Sequence, residues 1–265
     1  MKITISGIRG IFGDDFTSKD VMKYCNNFTK LVKSKNCVVG CDTRPSSKII
    51  VNDVIASLMQ CGINVYNLGM VPTPVVFREA RKYGAGVMIT SSHNPIEWNG
   101  LKFIIDGRGL NQNELDIIKN NQNTDKTTIG NEKFIESDYV NDVVNLVGFV
   151  KESPEVVVDI GGGAAKNVAP QVLQKIGCRI KVINETETKR GPDPTTDNLS
   201  YLISECSKNQ IGFAYDLDGD RVVIVKNGKK LSSDATLGLG IAKAIELGLL
   251  GSTNNPQLLF PIISS

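Results

Sequence analysis

Three aspartates, Asp216, Asp218 and Asp220, stand at i, i+2 and i+4 in the run IGFAYDLDGDRVVIV, directly after an apolar stretch. In an extended or looping backbone that spacing can converge their oxygens on one hard cation such as Mg²⁺. Burying three like charges without a cation is costly, and the apolar flanks on both sides argue against a merely solvated acidic turn. A second cluster follows another apolar run: GVMITSSHNPIEWNGLKF, at 86–103, leads into Thr90, Ser91, Ser92, His93, Asn94 and Pro95. Open α/β sheets place their ligands at the carboxyl ends of strands, and a serine there can act as a nucleophile if the site stabilises the product. Ser/Asn/Pro clusters also make ordinary turns, so spacing alone leaves both readings open.

Weaker signals surround these two. SGIRG at 6–10 and GCDTRPSS at 40–47 each set an arginine in a small, polar turn, apt for gripping phosphate oxygens. An isolated arginine in such a turn is more often solvated or paired with a carboxylate. DIGGGAAK at 159–166 has the spacing G-x-G-x-x-K and reads as a tight strand-to-helix turn rather than a dinucleotide fingerprint. An EF-hand beginning at Asp216 fails, because Arg221 and Asn227 stand where glycine and glutamate are needed. His93 is the single histidine, so any metal must be held mainly by carboxylates. Six cysteines without a C-x-x-C pair read as small buried hydrophobes of a reducing compartment.

The elements that must position these residues alternate between apolar β-branched runs and helix-like stretches. Strands are expected at 37–40, 63–68 and 86–89, with helices at 46–61 and 74–83 between them, which is the pattern of βαβ units. A polar, Asn/Thr-rich stretch at 119–132 reads as a surface loop, and a helix is expected over 137–149. The charged, proline-containing KESPE segment puts a domain boundary near 150–154. A second series follows, with strands at 156–160, 180–183 and 211–215 and helices at 171–176, 198–209 and 235–247. A hairpin at 222–230 turns at Asn227-Gly228. The last ten residues, PQLLFPIISS, have the character of a further strand. A chain of 265 residues with a net charge of +2 fits two ordinary α/β domains, and no overall field points to nucleic acid or an anionic membrane. Without an apolar leader or a run of ~18 apolar residues, the expectation is a soluble, cytoplasmic protein.

Taken in order, SGIRG, GCDTRPSS, GMVPTP, GVMITSSHNPIEWNGLKF, VVVDIGGGA, GPDPTTDNL and DLDGDRVVIV resemble the motif series of the α-D-phosphohexomutase superfamily. That group comprises phosphoglucomutases, phosphomannomutases and phosphoglucosamine mutases. The resemblance spans nearly all of 6–225. It implies an α/β fold of two consecutive three-layer α/β/α domains with mixed sheets, at 1–150 and 151–252. Residues 253–265 would then be the opening strand of a third domain.

By the same resemblance Ser92 is the phosphorylated nucleophile, and Asp216, Asp218 and Asp220 hold Mg²⁺ together with an oxygen of the phosphorylated Ser92. Arg9 and Arg221 match positions that neighbour the phosphoryl group. Lys102 matches a lysine linked to proton transfer, and His93 is a second polar contact beside the serine. The implied partners are hexose phosphate and hexose bisphosphate. EWNGLKF is closest to archaeal members assigned to phosphoglucosamine or phosphomannose conversion. The family has four domains, and its sugar-contacting glutamate-serine loop and Arg-Thr-Ser-Gly-type phosphate loop have no counterpart here. The expectation is therefore a partial chain with little mutase activity alone. Two alternatives remain open. The run DLDGD is similar to the D-x-D-G-[TV] motif of haloacid-dehalogenase-type phosphatases, with Asp216 as nucleophile, although Asp220 departs from that pattern. The chain can also be a non-enzymatic phosphosugar-binding fragment.

Overall fold

A computed structural model of the chain describes residues 1–120, 128–186, 188, 190–246 and 248. Contacts divide the chain into two compact units, Met1–Tyr139 and Val140–Ser265. The core of the polar stretch expected as a surface loop (121–127), and the apolar end expected as an opening strand (253–265), lie outside the described residues.

The first unit runs β1 (Lys2–Thr4), β2 (Gly7–Ile11), α1 (Ser18–Phe28), β3 (Asn36–Cys41), α2 (Ser47–Gln60), β4 (Asn64–Met70), α3 (Thr73–Tyr83), β5 (Ala85–Ile89), β6 (Trp98–Ile105), β7 (Arg108–Gly109), α4 (Gln112–Asn120) and β8 (Glu132–Phe134). Its sheet has the order β1-β2-β6-β5-β3-β4-β8, with β7 beside β6. The neighbouring strands β5, β3, β4 and β8 run parallel, while β6 is antiparallel to both β5 and β2, so the sheet is mixed.

Strand alternation sends Cys37, Val39, Val87, Ile89, Leu101 and Phe103 to one face, where they form one buried cluster with Val21 and Phe28 of α1 and Ile50, Val54 and Leu58 of α2. Each such large apolar side chain contributes about 1.5–3 kcal/mol on burial. The other face carries Gly40 and Gly86 against α3. A Cβ on Gly40 would lie 2.6 Å from Val76 Cγ2, and one on Gly86 would lie 3.1 Å from Ala80 Cβ. The result is three layers.

The second unit follows with α5 (Tyr139–Val147), β9 (Glu155–Asp159), α6 (Ala169–Lys175), β10 (Arg179–Ile183), α7 (Ser200–Glu205), β11 (Ile211–Tyr215), β12 (Val222–Lys226), β13 (Lys229–Lys230) and α8 (Ser233–Glu246). Its sheet order is β10-β9-β11-β12-β13, parallel over the first three strands and antiparallel thereafter. Val156, Val158 and Ile160 pack with Ala165 and Ala169 on one face, while Val157, Ala214, Val223 and Val225 pack with Leu199 and Leu202 on the other. The second unit includes α5 and the KESPE segment. There, Val150 N–H donates to Ile176 O (2.7 Å) and Lys175 Nζ to Asn141 Oδ1 (2.8 Å).

The helix expected over 198–209 is shorter in the structure, where α7 covers only Ser200–Glu205. Leu199 is in the left-handed region (φ 54°), its N–H taken by Asp197 Oδ1 at 2.7 Å, and Cys206 is already extended. Local side-chain-to-backbone bonding by Asp and Asn thus competes with the helix, as these residues commonly do. Asn227 and Gly228 both have positive φ, as the tight hairpin between β12 and β13 requires. Glu132–Phe134, expected at the edge of a loop, forms an edge strand parallel to β4.

The pairing of β2 with β6 depends on the absence of a side chain at Gly100. A Cβ there would sit 2.2 Å from Ile8 O and 3.0 Å from Arg9 Cα, and the backbone of β2 cannot yield to it without moving the strand. Gly100→Ala is therefore expected to destabilise the chain by about 1–3 kcal/mol. Gly109→Ala, where nothing lies within 4 Å, should be close to neutral. Urea midpoints of the two variants check this.

Candidate active site

Strand β5 is buried along its whole length and delivers Thr90, Ser91 and Ser92, all buried, to its carboxyl end. Ser92 has a φ of +54°, a left-handed conformation uncommon for a residue with a Cβ. Side chains hold it from both directions. Its N–H donates to Thr90 Oγ1 (2.7 Å), and Thr90 Oγ1 donates in turn to Asp42 Oδ2 (2.7 Å). Its carbonyl accepts from Arg44 Nη2. Ser92 Oγ lies 3.3 Å from His93 Nδ1, with the proton's position set by the imidazole tautomer. Asn94 closes the turn by donating from its amide to Ser91 O (2.9 Å) and Ser91 Oγ (3.1 Å).

Of the two readings its turn left open, Arg44 takes the carboxylate-paired one and is not a phosphate grip. A guanidinium has five N–H donors, and every one is committed inside the fold. Nε donates to Asp42 Oδ2 (3.1 Å), Nη1 to the carbonyls of Pro95 and Trp98, and Nη2 to the carbonyls of Ser92 and Asn94. Both side chains of this ion pair are fully buried. Asp42 also accepts the N–H of Arg44 (3.1 Å) and the hydroxyl of Ser47 (3.2 Å).

Arg9 and Lys102 come together on the neighbouring strands. Arg9 stands opposite Gly100 in the β2–β6 register, and Lys102 is two residues further along the same face. A Cβ on Gly7 would lie 3.6 Å from Arg9 Nε and 3.5 Å from Lys102 Cγ, which places both cationic side chains around one small residue. Strand β6 runs antiparallel beside β5, and Thr90 N–H donates to Gly100 O (3.0 Å), so the residues following β5 emerge next to the start of β6.

In the second unit, the loop after β11 gathers Asp216, Asp218 and Asp220 so that one carboxylate oxygen of each lies within 4.8 Å of the others. Asp216 and Asp218 are fully buried. Asp216 Oδ1 accepts the N–H groups of Asp220 (3.1 Å) and Arg221 (3.0 Å), which folds the loop back on its own first residue. Burial, followed by the charges of Asp218 and Asp220, pushes the Asp216 carboxyl well above the usual carboxylate range. Such a group needs a proton or a cation. Three hard oxygen donors converging at this range fit Mg²⁺, which takes carboxylate and water ligands. The Arg221 guanidinium lies 3.5 Å from Asp193 Oδ2. Of the expected ligands, Ser92 belongs to the first unit and the three aspartates to the second.

Two features behind this loop were not recognised from the sequence. Asp159, at the end of β9, forms a buried pair with Arg190 (2.8 Å), whose Nη2 also donates to the carbonyl of Tyr215, the residue before Asp216. The glycine turn read as a simple strand-to-helix connection also backs the loop. A Cβ on Gly163 would fall 2.7 Å from Leu217 O and 2.8 Å from Asp216 O, and Ala164 N–H donates to Leu217 O (2.8 Å). Its three consecutive glycines were the available signal, because close backbone approach is one reason for glycine.

Comparisons with known proteins match both parts of the chain. The family model described as phosphoglucomutase/phosphomannomutase, alpha/beta/alpha domain I, matches residues 1–128, and that of alpha/beta/alpha domain II matches residues 137–229. A protein of Methanothermobacter thermautotrophicus named as a probable phosphoglucosamine mutase is 35% identical over 257 residues, covering 88% of this chain and 56% of that protein. The phosphomannomutase/phosphoglucomutase of Pseudomonas aeruginosa PAO1 is 31% identical, covering 83% of this chain and 51% of that protein. A crystal structure of a phosphoglucomutase/phosphomannomutase family protein from Burkholderia thailandensis superposes with a TM-score of 0.80 at 25% identity. It covers 93% of this chain and 60% of its own. The chain thus spans about half the length of the curated relatives it matches.

Like charge at the aspartate cluster makes a prediction with opposite signs in two conditions. Without divalent cations, Asp218→Asn should raise the melting temperature by roughly 2–4 °C, the shift that ~1 kcal/mol gives in a chain of this size. With millimolar Mg²⁺, the wild type should gain stability and the variant should not. Melts in chelator and in Mg²⁺ check both signs.

Proposed function

This chain belongs to the phosphoglucomutase/phosphomannomutase family, and from that premise we propose that it performs the phosphoryl-transfer chemistry of a phosphohexomutase, with Ser92 as the residue that carries the phosphoryl group. The observation that carries this reading is the conformation of Ser92. A buried serine, clamped in a left-handed turn with its hydroxyl 3.3 Å from His93 Nδ1, is held as a nucleophile is held, not as a solvated turn residue.

In the proposed reaction, Ser92 Oγ takes a phosphoryl group from a hexose bisphosphate and returns it to a hexose monophosphate. The proton leaves the hydroxyl as the new P–O bond forms and goes back as that bond breaks. His93 and Lys102 are the groups proposed to hold that proton, and Arg9 and Arg221 to balance phosphoryl charge. Positioned cationic donors supply most of what phosphoryl transfer requires. Held by Asp216, Asp218 and Asp220, Mg²⁺ would add the divalent positive charge on which such transfers draw.

The aspartyl-phosphatase alternative loses its support, because the residues around Asp216 match domain II of the mutase family.

Incubation with a labelled glucose 1,6-bisphosphate should place acid-stable label on Ser92, and Ser92→Ala should lose it. Acid-labile label, or label retained in Ser92→Ala, would overturn the assignment. For residues 1–265 taken alone, label uptake without conversion of glucose, mannose or glucosamine phosphates is expected. Relatives are nearly twice as long, and binding energy from remote parts of a substrate is what positions its reacting group. Conversion at ~1–10³ s⁻¹ in a coupled assay would contradict this.

A further inference from the structure

We infer that Arg44 is the positioning residue for the Ser92 nucleophile, and that Asp42 and Thr90 act with it as one clamp. The inference rests on the reading of Ser92 as the phosphoryl carrier and adds what sets its geometry.

The left-handed conformation of Ser92 has no glycine to relax it, so the surroundings must impose it. Imposition comes from both peptide groups of the residue. The N–H is fixed by Thr90 Oγ1, which is itself fixed by Asp42 Oδ2. The carbonyl is fixed by Arg44 Nη2, whose Nε is fixed by the same carboxylate oxygen. Asp42 therefore controls the backbone on both sides of the nucleophile through two rigid arms.

The planar guanidinium extends this control along the turn. Its remaining donors reach the carbonyls of Asn94, Pro95 and Trp98, so a single side chain spans the segment from the serine to the first residue of β6. With all five donors used, Arg44 has none for substrate. Its effect on transfer must pass through the placement of Ser92 Oγ. Lysine would keep the charge but cannot reproduce a five-donor fork. A small misplacement of reacting atoms can cost about 10²-fold in rate.

The test measures two quantities on folded protein: the rate of label transfer from glucose 1,6-bisphosphate to Ser92, and the Kd for that bisphosphate by calorimetry. Arg44→Lys is expected to slow transfer by about 10²-fold with the Kd unchanged. Thr90→Val, which keeps the shape and removes both hydrogen bonds, should do the same, while Thr90→Ser should restore most of the rate. If Arg44→Lys does not fold, as circular dichroism would show, the Thr90 pair decides. Transfer at the wild-type rate in Thr90→Val overturns the inference, as does a weakened Kd in Arg44→Lys accompanied by normal transfer at saturation. A wild type that takes up no label at Ser92 overturns the phosphoserine reading itself, and this inference with it.

Discussion

The fully buried ion pair between Asp42 and Arg44 governs the shape of the first unit's functional loop. Taking two charges out of water is expensive, and their mutual attraction compensates only when every remaining donor and acceptor is also satisfied. Here the remaining donors meet four carbonyls of the segment from Ser92 to Trp98. The carbonyl of Ser92 is buried and those of Asn94, Pro95 and Trp98 lie part-buried, and a carbonyl withdrawn from water without a partner carries a penalty of its own. Removing the arginine would leave the buried carboxylate without its counter-charge and would take one hydrogen bond from each of four carbonyls together. Few substitutions elsewhere in the unit would unbalance so many groups at once.

The second unit solves its equivalent problem in the same way. Asp159 ends strand β9, accepts from Gly161 N–H (2.9 Å) and the Asn184 amide (3.0 Å), and pairs with Arg190. Arg190 then reaches the carbonyl at the end of β11. In both units a carboxylate at a strand end holds an arginine, and the arginine holds the backbone of a neighbouring strand end. Parallel strands bring their carboxyl ends to one edge of the sheet, which is why one pair can reach two loops.

Against these compensated pairs the aspartate cluster is conspicuous. Asp216 and Asp218 are as buried as Asp42 and Asp159, and that burial, followed by the neighbouring like charges, drives the Asp216 carboxyl upward. Arg44 and Arg190 fix backbone, while three carboxylates converge in this loop. Within the second unit the Asp159–Arg190 pair is a support that does not rearrange when charge develops at the loop it backs.

The sequence by itself determined the candidate residues and most of the elements. Asp216, Asp218 and Asp220 were legible because they lie within five positions of one another, so local backbone geometry alone converges them. The serine turn was legible because it interrupts an apolar strand. The strands and helices of both series follow from hydrophobic period and turn residues, and the ordered motifs pointed to two mixed α/β units. Only the tertiary structure decided what Arg44, Asp159 and Arg190 do. The carbonyls that Arg44 binds lie 48 to 54 positions away, and Arg190 meets Asp159 across 31. A carbonyl is present at every position and so leaves no mark in the sequence. Which carbonyl an arginine meets is set by strand order and register. The short bounds of α7 (Ser200–Glu205), within the helix expected over 198–209, and the edge strand at Glu132–Phe134 were not legible for similar reasons. A left-handed Leu199 and a place beside β4 are settled by neighbours in space, on which local propensity is silent.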